Sequence, residues 1–378
     1  MQIFDNIGIY IHVPFCAKPC KYCRFYKKIP TTDDIVFYLS TLEREVKIFR
    51  EHNPQIKTPE TMFIGGGTPS ILEPEQILQL PKIFENLIPS IEWTVEVSPS
   101  TITKAKLDAF KEIGVNRISL GVQSFMEKTL NSLGRAHSLQ ETLKAIELVA
   151  EAKFKNFSLD LIFGANAQTI DEFIYDLHTA TQTPVNHISA YCLEFENGTS
   201  ACTGIRTDKE LEKNQIDAQL FETAMATLPT LNFEQYEISN YAKTPDARCL
   251  HNLSTWNMAQ WIGFGPAAAS QFNGKRFRNP SALKKWADGI TNNQPQFEDV
   301  VVLDDEELLS SALIFGLRMN KGINFAELKN RFPSANTEKY ATSLMELSKQ
   351  GLLEISGDNI KLTQLGRLYA DTVAVELL

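Results

Sequence analysis

Residues 7–23 read IGIYIHVPFCAKPCKYC. The first seven are short, apolar and β-branched, which predicts a strand. At its end Cys16, Cys20 and Cys23 fall within eight residues. Three thiolates on one tight loop can hold three irons of a 4Fe-4S cube and leave the fourth iron without a protein ligand, open to another molecule. A structural zinc site is the alternative, with His12, four residues before Cys16, as the fourth ligand. Because His12 alternates with Tyr10 along the strand, simple packing is a further reading for it.

Composition limits how that loop can be used. A chain of 378 residues can bury a large core and hold more than one folded unit. Its 46 acidic against 37 basic residues give a net charge of −9 with no long block of either sign, which disfavours nucleic acid or a membrane surface as a partner. No basic stretch with an apolar core and cleavage site precedes Cys16, and no apolar run is long enough to span a bilayer, so the expectation is a cytoplasmic protein without an integral membrane segment. Six cysteines, three of them crowded together, fit metal-bound thiolates in a reducing compartment better than a disulfide framework.

Working outward, IGIYIHV is followed by TMFIGG, WTVEV, RISLGV, FSLDLIFG and HISAYCL, all strand-like, with AFKEI, QETLKAIELVAEA and DEFIYDLHTAT at helical spacing between them. Strand, helix, strand at intervals of about thirty residues means parallel βαβ units. Pro74 suits the first turn of a helix over EPEQILQLPKIFENL, and Gly114 suits a helix C-terminus after AFKEI. The expected fold is α/β: a partial parallel (β/α)6 barrel over residues 1–200, barrel-closing strands and loops over 201–300, and an α+β winged-helix-like domain over 301–378 with a hairpin turning at Gly357-Asp358-Asn359.

The unusual residues fall at strand ends. The cysteine loop follows the first strand and Gly65-Gly66-Gly67-Thr68-Pro69 the second; Glu96 ends the third, Gln123 the fourth and Glu194 the sixth, while Asp160 lies in the fifth. In a parallel barrel these ends form one rim, where active sites sit. An open iron beside a glycine-rich, acid-bearing rim suits a small zwitterion such as S-adenosylmethionine (SAM), whose amine the glycines could admit to backbone carbonyls and whose ribose the polar groups could hold. The glycines could equally be a turn needing positive dihedrals, and Gln123, Arg135 and Asp160 could each be structural hydrogen-bond partners. A carboxylate such as Glu96 at this rim is costly to bury unless it meets a cation or several donors. Lys18, Lys21, Arg24, Lys27 and Lys28 make a basic patch around the cysteines, suited to an acidic electron donor, to carboxylates of a large ligand, or to solvent.

Taken in order, CAKPCKYC, FIGGGTPS, EVSP, NRISLGVQSF, LGRAH, LDLIFG and HNLSTW resemble, nearly end to end, the radical SAM family that includes the oxygen-independent coproporphyrinogen dehydrogenase HemN and the heme chaperone HemW. Phe25, where HemN has a further cysteine, and the short segment before Cys16 favour the HemW branch. The resemblance implies that Cys16, Cys20 and Cys23 ligate the cluster, that Tyr10, Gly66, Gly67, Thr68 and Glu96 contact a first SAM, and that Gln123, Arg135 and Asp160 match positions lining a second. It further implies heme as cargo, a heme-accepting apoprotein, and an electron donor such as a flavodoxin or ferredoxin; oxidative decarboxylation of coproporphyrinogen III is the alternative activity. His251 of HNLSTW would be the heme ligand, with Trp256 and Trp261 as flat apolar surface; a packed histidine is the other reading. Thr255 stands where the motif has tyrosine, and Arg24 where related sequences have aspartate. The tail, residues 301–378, carries eleven acids and eight bases, which makes it a lid or a docking domain before a nucleic-acid reader.

Overall fold

The computed structural model describes residues 7–23, 26–166, 168–193 and 207–378, with 207–214 described as backbone only. Glu194, Arg24 and Phe25 lie outside the described residues. Six strands appear where the sequence places them: β1 (Ile7–Val13), β2 (Thr61–Gly66), β3 (Glu92–Val97), β4 (Arg117–Gln123), β5 (Asn156–Phe163) and β6 (His187–Cys192). All five neighbouring pairs are parallel. Four of the helices between them begin on side-chain caps: Thr31, Thr103, Ser138 and Thr169 each accept an N–H of the first turn. The outward side chains of these strands, including Ile11, Met62, Val95, Leu120, Leu159 and Ile188, join the helices in the main core.

The other face of the same strands is polar. Thr61, Glu92, Thr94, Glu96, Arg117, Ser119, Gln123, Ser158, Asp160, His187 and Ser189 all fall on the alternate positions. Most of them line a cavity of about 460 Å³ that runs down the middle of the barrel. A barrel interior is usually filled by apolar side chains. This one is a polar well.

Six further strands complete the main sheet: β7 (Glu234–Gln235), β8 (Asn240–Ala242), β9 (Gln260–Phe264), β10 (Ala269–Phe272), β11 (Lys275–Arg278) and β12 (Glu298–Val302). Among the described residues they extend the sheet at both of its edges. β9 adds to β1 in parallel, β10 to β12 continue as an antiparallel meander, and β8 with β7 extend the β6 edge. Among the described residues the sheet therefore ends on β12 and β7. The well is stoppered from below by the helix Leu250–Trp256, whose first turn donates to Glu92 on β3.

The expected single helix after Pro74 is also corrected. Pro74–Ile77 and Leu80–Ile83 are separate single turns, because Pro81 has no N–H to continue a helical ladder. The C-terminal unit packs the helices Asp305–Leu317, Phe325–Arg331 and Lys339–Lys349 against a sheet of β13 (Ile323–Asn324), β14 (Leu353–Ser356) and β15 (Asn359–Leu362) around its own core. Among the described residues no helix is long and apolar enough to cross a membrane.

Candidate functional site

The site begins with the cysteine loop. Two backbone bonds pinch its base, Cys16 N–H to Lys28 O at 3.0 Å and Lys28 N–H to Pro14 O at 2.7 Å. A third, Lys21 N–H to Leu133 O at 3.2 Å, ties the loop to the turn after β4. Cys16, Cys20 and Cys23 all border the well. The Thr68 hydroxyl donates to Cys16 Sγ at 3.6 Å, and Arg135 Nη1 to Cys20 Sγ at 3.3 Å.

His12 is not available to this trio. Its Nδ1 meets the Tyr10 hydroxyl at 3.0 Å and its Nε2 the Tyr26 carbonyl at 3.1 Å, so both ring nitrogens are engaged. Among the described residues no three His, Cys, Asp or Glu side chains gather tightly enough to chelate one ion. The donor set is three thiols around an open well, which suits a cube with one free corner better than tetrahedral zinc.

The glycines at the end of β2, Gly66 within it and Gly67 just after, are required by close approach. A Cβ on Gly67 would lie 2.5 Å from the Phe15 carbonyl oxygen, against the cysteine loop. Gly66 has φ +102°, and a Cβ there would lie 2.6 Å from the His12 ring. Its N–H donates to Glu96 Oε2 at 3.2 Å. Burial, with the negative charge of Asp160 second, pushes the Glu96 carboxyl up to about 8. Asp160 is raised by burial and held back by hydroxyl donors, Ser119 Oγ standing 2.9 Å from both of its oxygens. Tyr10 lies below the rim beside Phe63 and His12, its phenol raised by burial and then by Glu96; it does not border the well.

Gln123 reaches the rim through an irregularity: the β4–β5 register slips between Gly121 and Gln123, and Gln123 has φ +71°. Gln123, Arg135 and Asp160 thus border the same space as Gly66, Gly67, Thr68 and Glu96. Several buried polar atoms around it lack a protein partner: Thr94 Oγ1, Asn240 Oδ1 and Arg135 Nε. Orphaned donors and acceptors around a polar well fit a ligand rich in hydroxyls, carboxylate and ammonium. The residues present therefore fit both a cluster and SAM. Within the basic patch Lys28 is offset by Asp34 at 2.6 Å, while Lys27 donates to the Cys23 carbonyl and keeps its charge; Lys18 and Lys27 border the well.

His251 stands apart from this group. It is buried under the floor, its Nδ1 2.8 Å from Thr61 Oγ1 and its ring against Phe63 at 5.4 Å, and it does not border the well. Burial pushes its pKa down to about 4. Trp256 is half-buried, packed against Phe315 and beneath Arg318 of the C-terminal unit. Sequence reading missed the floor itself. Arg117 donates through both Nη atoms to Ala247 O at 2.9 Å, Glu92 lies 3.9 Å from it, and His187 bridges Ser158 and Tyr236. The signal was there: polar residues on alternate positions of apolar strands.

These features define an α/β barrel with a thiol-bordered polar well and a separate C-terminal unit, and its family matches place it among radical SAM proteins with a C-terminal domain of the HemN type. Residues 10–180 match the radical SAM superfamily and residues 303–369 the HemN C-terminal domain. The fold matches coproporphyrinogen III oxidase (HemN) of Escherichia coli with a TM-score of 0.85 at 21% identity, covering 98% of this chain and 90% of that one. The heme chaperone HemW of Bacillus subtilis (strain 168) is 32% identical over 371 residues, 96% of this chain and 97% of that one. HemW of Mycobacterium tuberculosis (strain CDC 1551 / Oshkosh) is 31% identical over 382 residues, 98% and 94% of the two chains. The chain belongs to the family of the heme chaperone HemW.

Proposed function

We propose that this protein is a cytoplasmic heme carrier that holds a 4Fe-4S cluster through Cys16, Cys20 and Cys23, binds SAM and heme, and passes heme to an acceptor apoprotein. The observation that carries this reading is near-full-length similarity to proteins named heme chaperone. Three thiols around one polar well support the cofactor assignment.

In this reading Gly66, Gly67 and Thr68, with Tyr10 beneath them, would hold SAM. Glu96, whose carboxyl is pushed up to about 8 by burial and then by Asp160, would pair as a carboxylate with the ligand's ammonium. Gln123, Arg135 and Asp160 offer a second set of groups for a zwitterion. Held by Cys16, Cys20 and Cys23, a 4Fe-4S cluster would supply one-electron reducing chemistry able to cleave a sulfonium. Lys18 and Lys27 at the mouth suit an acidic electron donor such as a flavodoxin or ferredoxin. His251 is the heme ligand of this proposal, and because its ring is sealed, ligation requires the helix Leu250–Trp256 to lift from the floor.

The test is a pair of assays on anaerobically reconstituted protein. Wild type should be brown and Cys20→Ser should lose the cluster; protein that takes up only zinc sinks the cofactor assignment. Heme titration followed by absorbance should show binding that weakens in His251→Ala. Equal binding removes His251 as ligand, and no binding by either sinks the carrier reading. Conversion of coproporphyrinogen III to protoporphyrinogen IX would replace it with an enzymatic one.

A further inference from the structure

Arg135 joins the cysteine loop to the strand rim. It follows Gly134, whose φ of +69° ends the short helix Glu127–Leu133 and turns the chain inward. From there the guanidinium spans two elements. Nη1 donates to Cys20 Sγ at 3.3 Å and lies 3.4 Å from the Tyr22 hydroxyl, while Nη2 donates to the Gly121 carbonyl at 3.0 Å.

The seat is shaped for it. A Cβ on Gly134 would lie 2.8 Å from Lys21 Cγ, so this glycine leaves room where the loop meets the turn that carries Arg135. Lys21 N–H to Leu133 O fixes the loop to the turn that carries Arg135. The position of Arg135 relative to Cys20 is therefore set by backbone on both sides.

We propose that Arg135 sets the redox poise of the cluster, an inference that rests on the cluster assignment above. A thiolate that ligates iron gains negative charge when one electron enters from an external one-electron donor; no covalent bond forms or breaks and no proton moves. A fixed cation donating to that sulfur stabilises the reduced form more than the oxidised form, so it raises the potential. Arg135 acts here through Cys20 and is a positioning residue.

The experiment reconstitutes the full chain with iron and sulfide and follows the reduced fraction by electron paramagnetic resonance against redox mediators. Wild type is compared with Arg135→Gln, Arg135→Lys and Lys128→Gln. The last removes a charge from the short helix that precedes Arg135, at an exposed residue 3.1 Å from Glu172. At fixed potential and equal iron content, Arg135→Gln should shift the reduced-to-oxidised ratio about tenfold toward oxidised, about 59 mV for a one-electron couple. Arg135→Lys should recover part of the shift and Lys128→Gln should show none. An Arg135→Gln ratio equal to wild type, or an equal shift in Lys128→Gln, overturns the inference. If Arg135→Gln does not load, Arg135→Met, which keeps the length without the charge, decides: a wild-type ratio and spectrum overturns it. A wild type that never takes up a cluster sinks the underlying assignment instead.

Discussion

The Thr61 hydroxyl and Nδ1 of His251 lie 2.8 Å apart under the floor of the barrel, joining β2 to the helix Leu250–Trp256. If heme iron takes this imidazole, the bond must break first. Thr61→Val should therefore speed heme capture about fivefold, equivalent to about 1 kcal/mol for one lost neutral hydrogen bond. Stopped-flow absorbance after mixing with heme measures it. An unchanged rate would mean that release from Thr61 is not part of binding.

Glu96 supplies a pH signature. Its folded pKa of about 8 lies above its ordinary 4.5, so between those values the folded chain keeps a proton that the unfolded chain has lost. The stabilising contribution is complete below 4.5 and is lost as pH rises through about 8. Relative to Glu96→Gln, wild type should lose roughly 2 kcal/mol over that window, less than the full shift implies because the well admits solvent. Urea denaturation of both proteins across the window checks the slope. Asp160→Asn should flatten part of it by removing the neighbouring charge.

Glu92 anchors the stopper. It accepts from Leu250 N–H at 3.1 Å and His251 N–H at 3.0 Å, and sits 3.9 Å from buried Arg117. Glu92→Ala leaves Arg117 without its counter-charge and two amides without an acceptor, at a cost of roughly 3–5 kcal/mol. Amide exchange at Leu250 and His251 should quicken more than exchange in β1 to β6. Uniform quickening would show a global effect rather than release of this helix.

The glycine turn should resist substitution for two separable reasons. Gly66→Ala forces a side chain at φ +102° against the His12 ring, and should cost about 1–3 kcal/mol in thermal or urea unfolding. Gly67→Ala pushes on the Phe15 carbonyl at the base of the cysteine loop, so its larger effect should be on iron content after reconstitution. Full iron loading by Gly67→Ala would show that the loop tolerates the shift.

Much of this was legible along the chain. Period-two apolar runs with capped helices between them specify β1 to β6, because each strand and each cap is a local choice. Pro81 was also in plain sight, and its missing N–H splits a helix that hydrophobic spacing alone predicts as continuous. The edges of the sheet were harder. β9 lies beside β1 in space but about 250 residues away in sequence, and pairing across such a separation leaves no local pattern.

By itself the sequence determined the three thiols, the parallel strands and the rim to which they belong, since spacing and periodicity act over a few residues. Only the tertiary structure decided what the strands enclose. It turned alternate Thr, Ser, Glu, Asp and His side chains into one polar well, sealed His251 beneath its floor and carried Arg135 to within 3.3 Å of Cys20. The physical reason is that burial and hydrogen-bond partners belong to neighbours in space, and those neighbours are fixed only when the sheet curls.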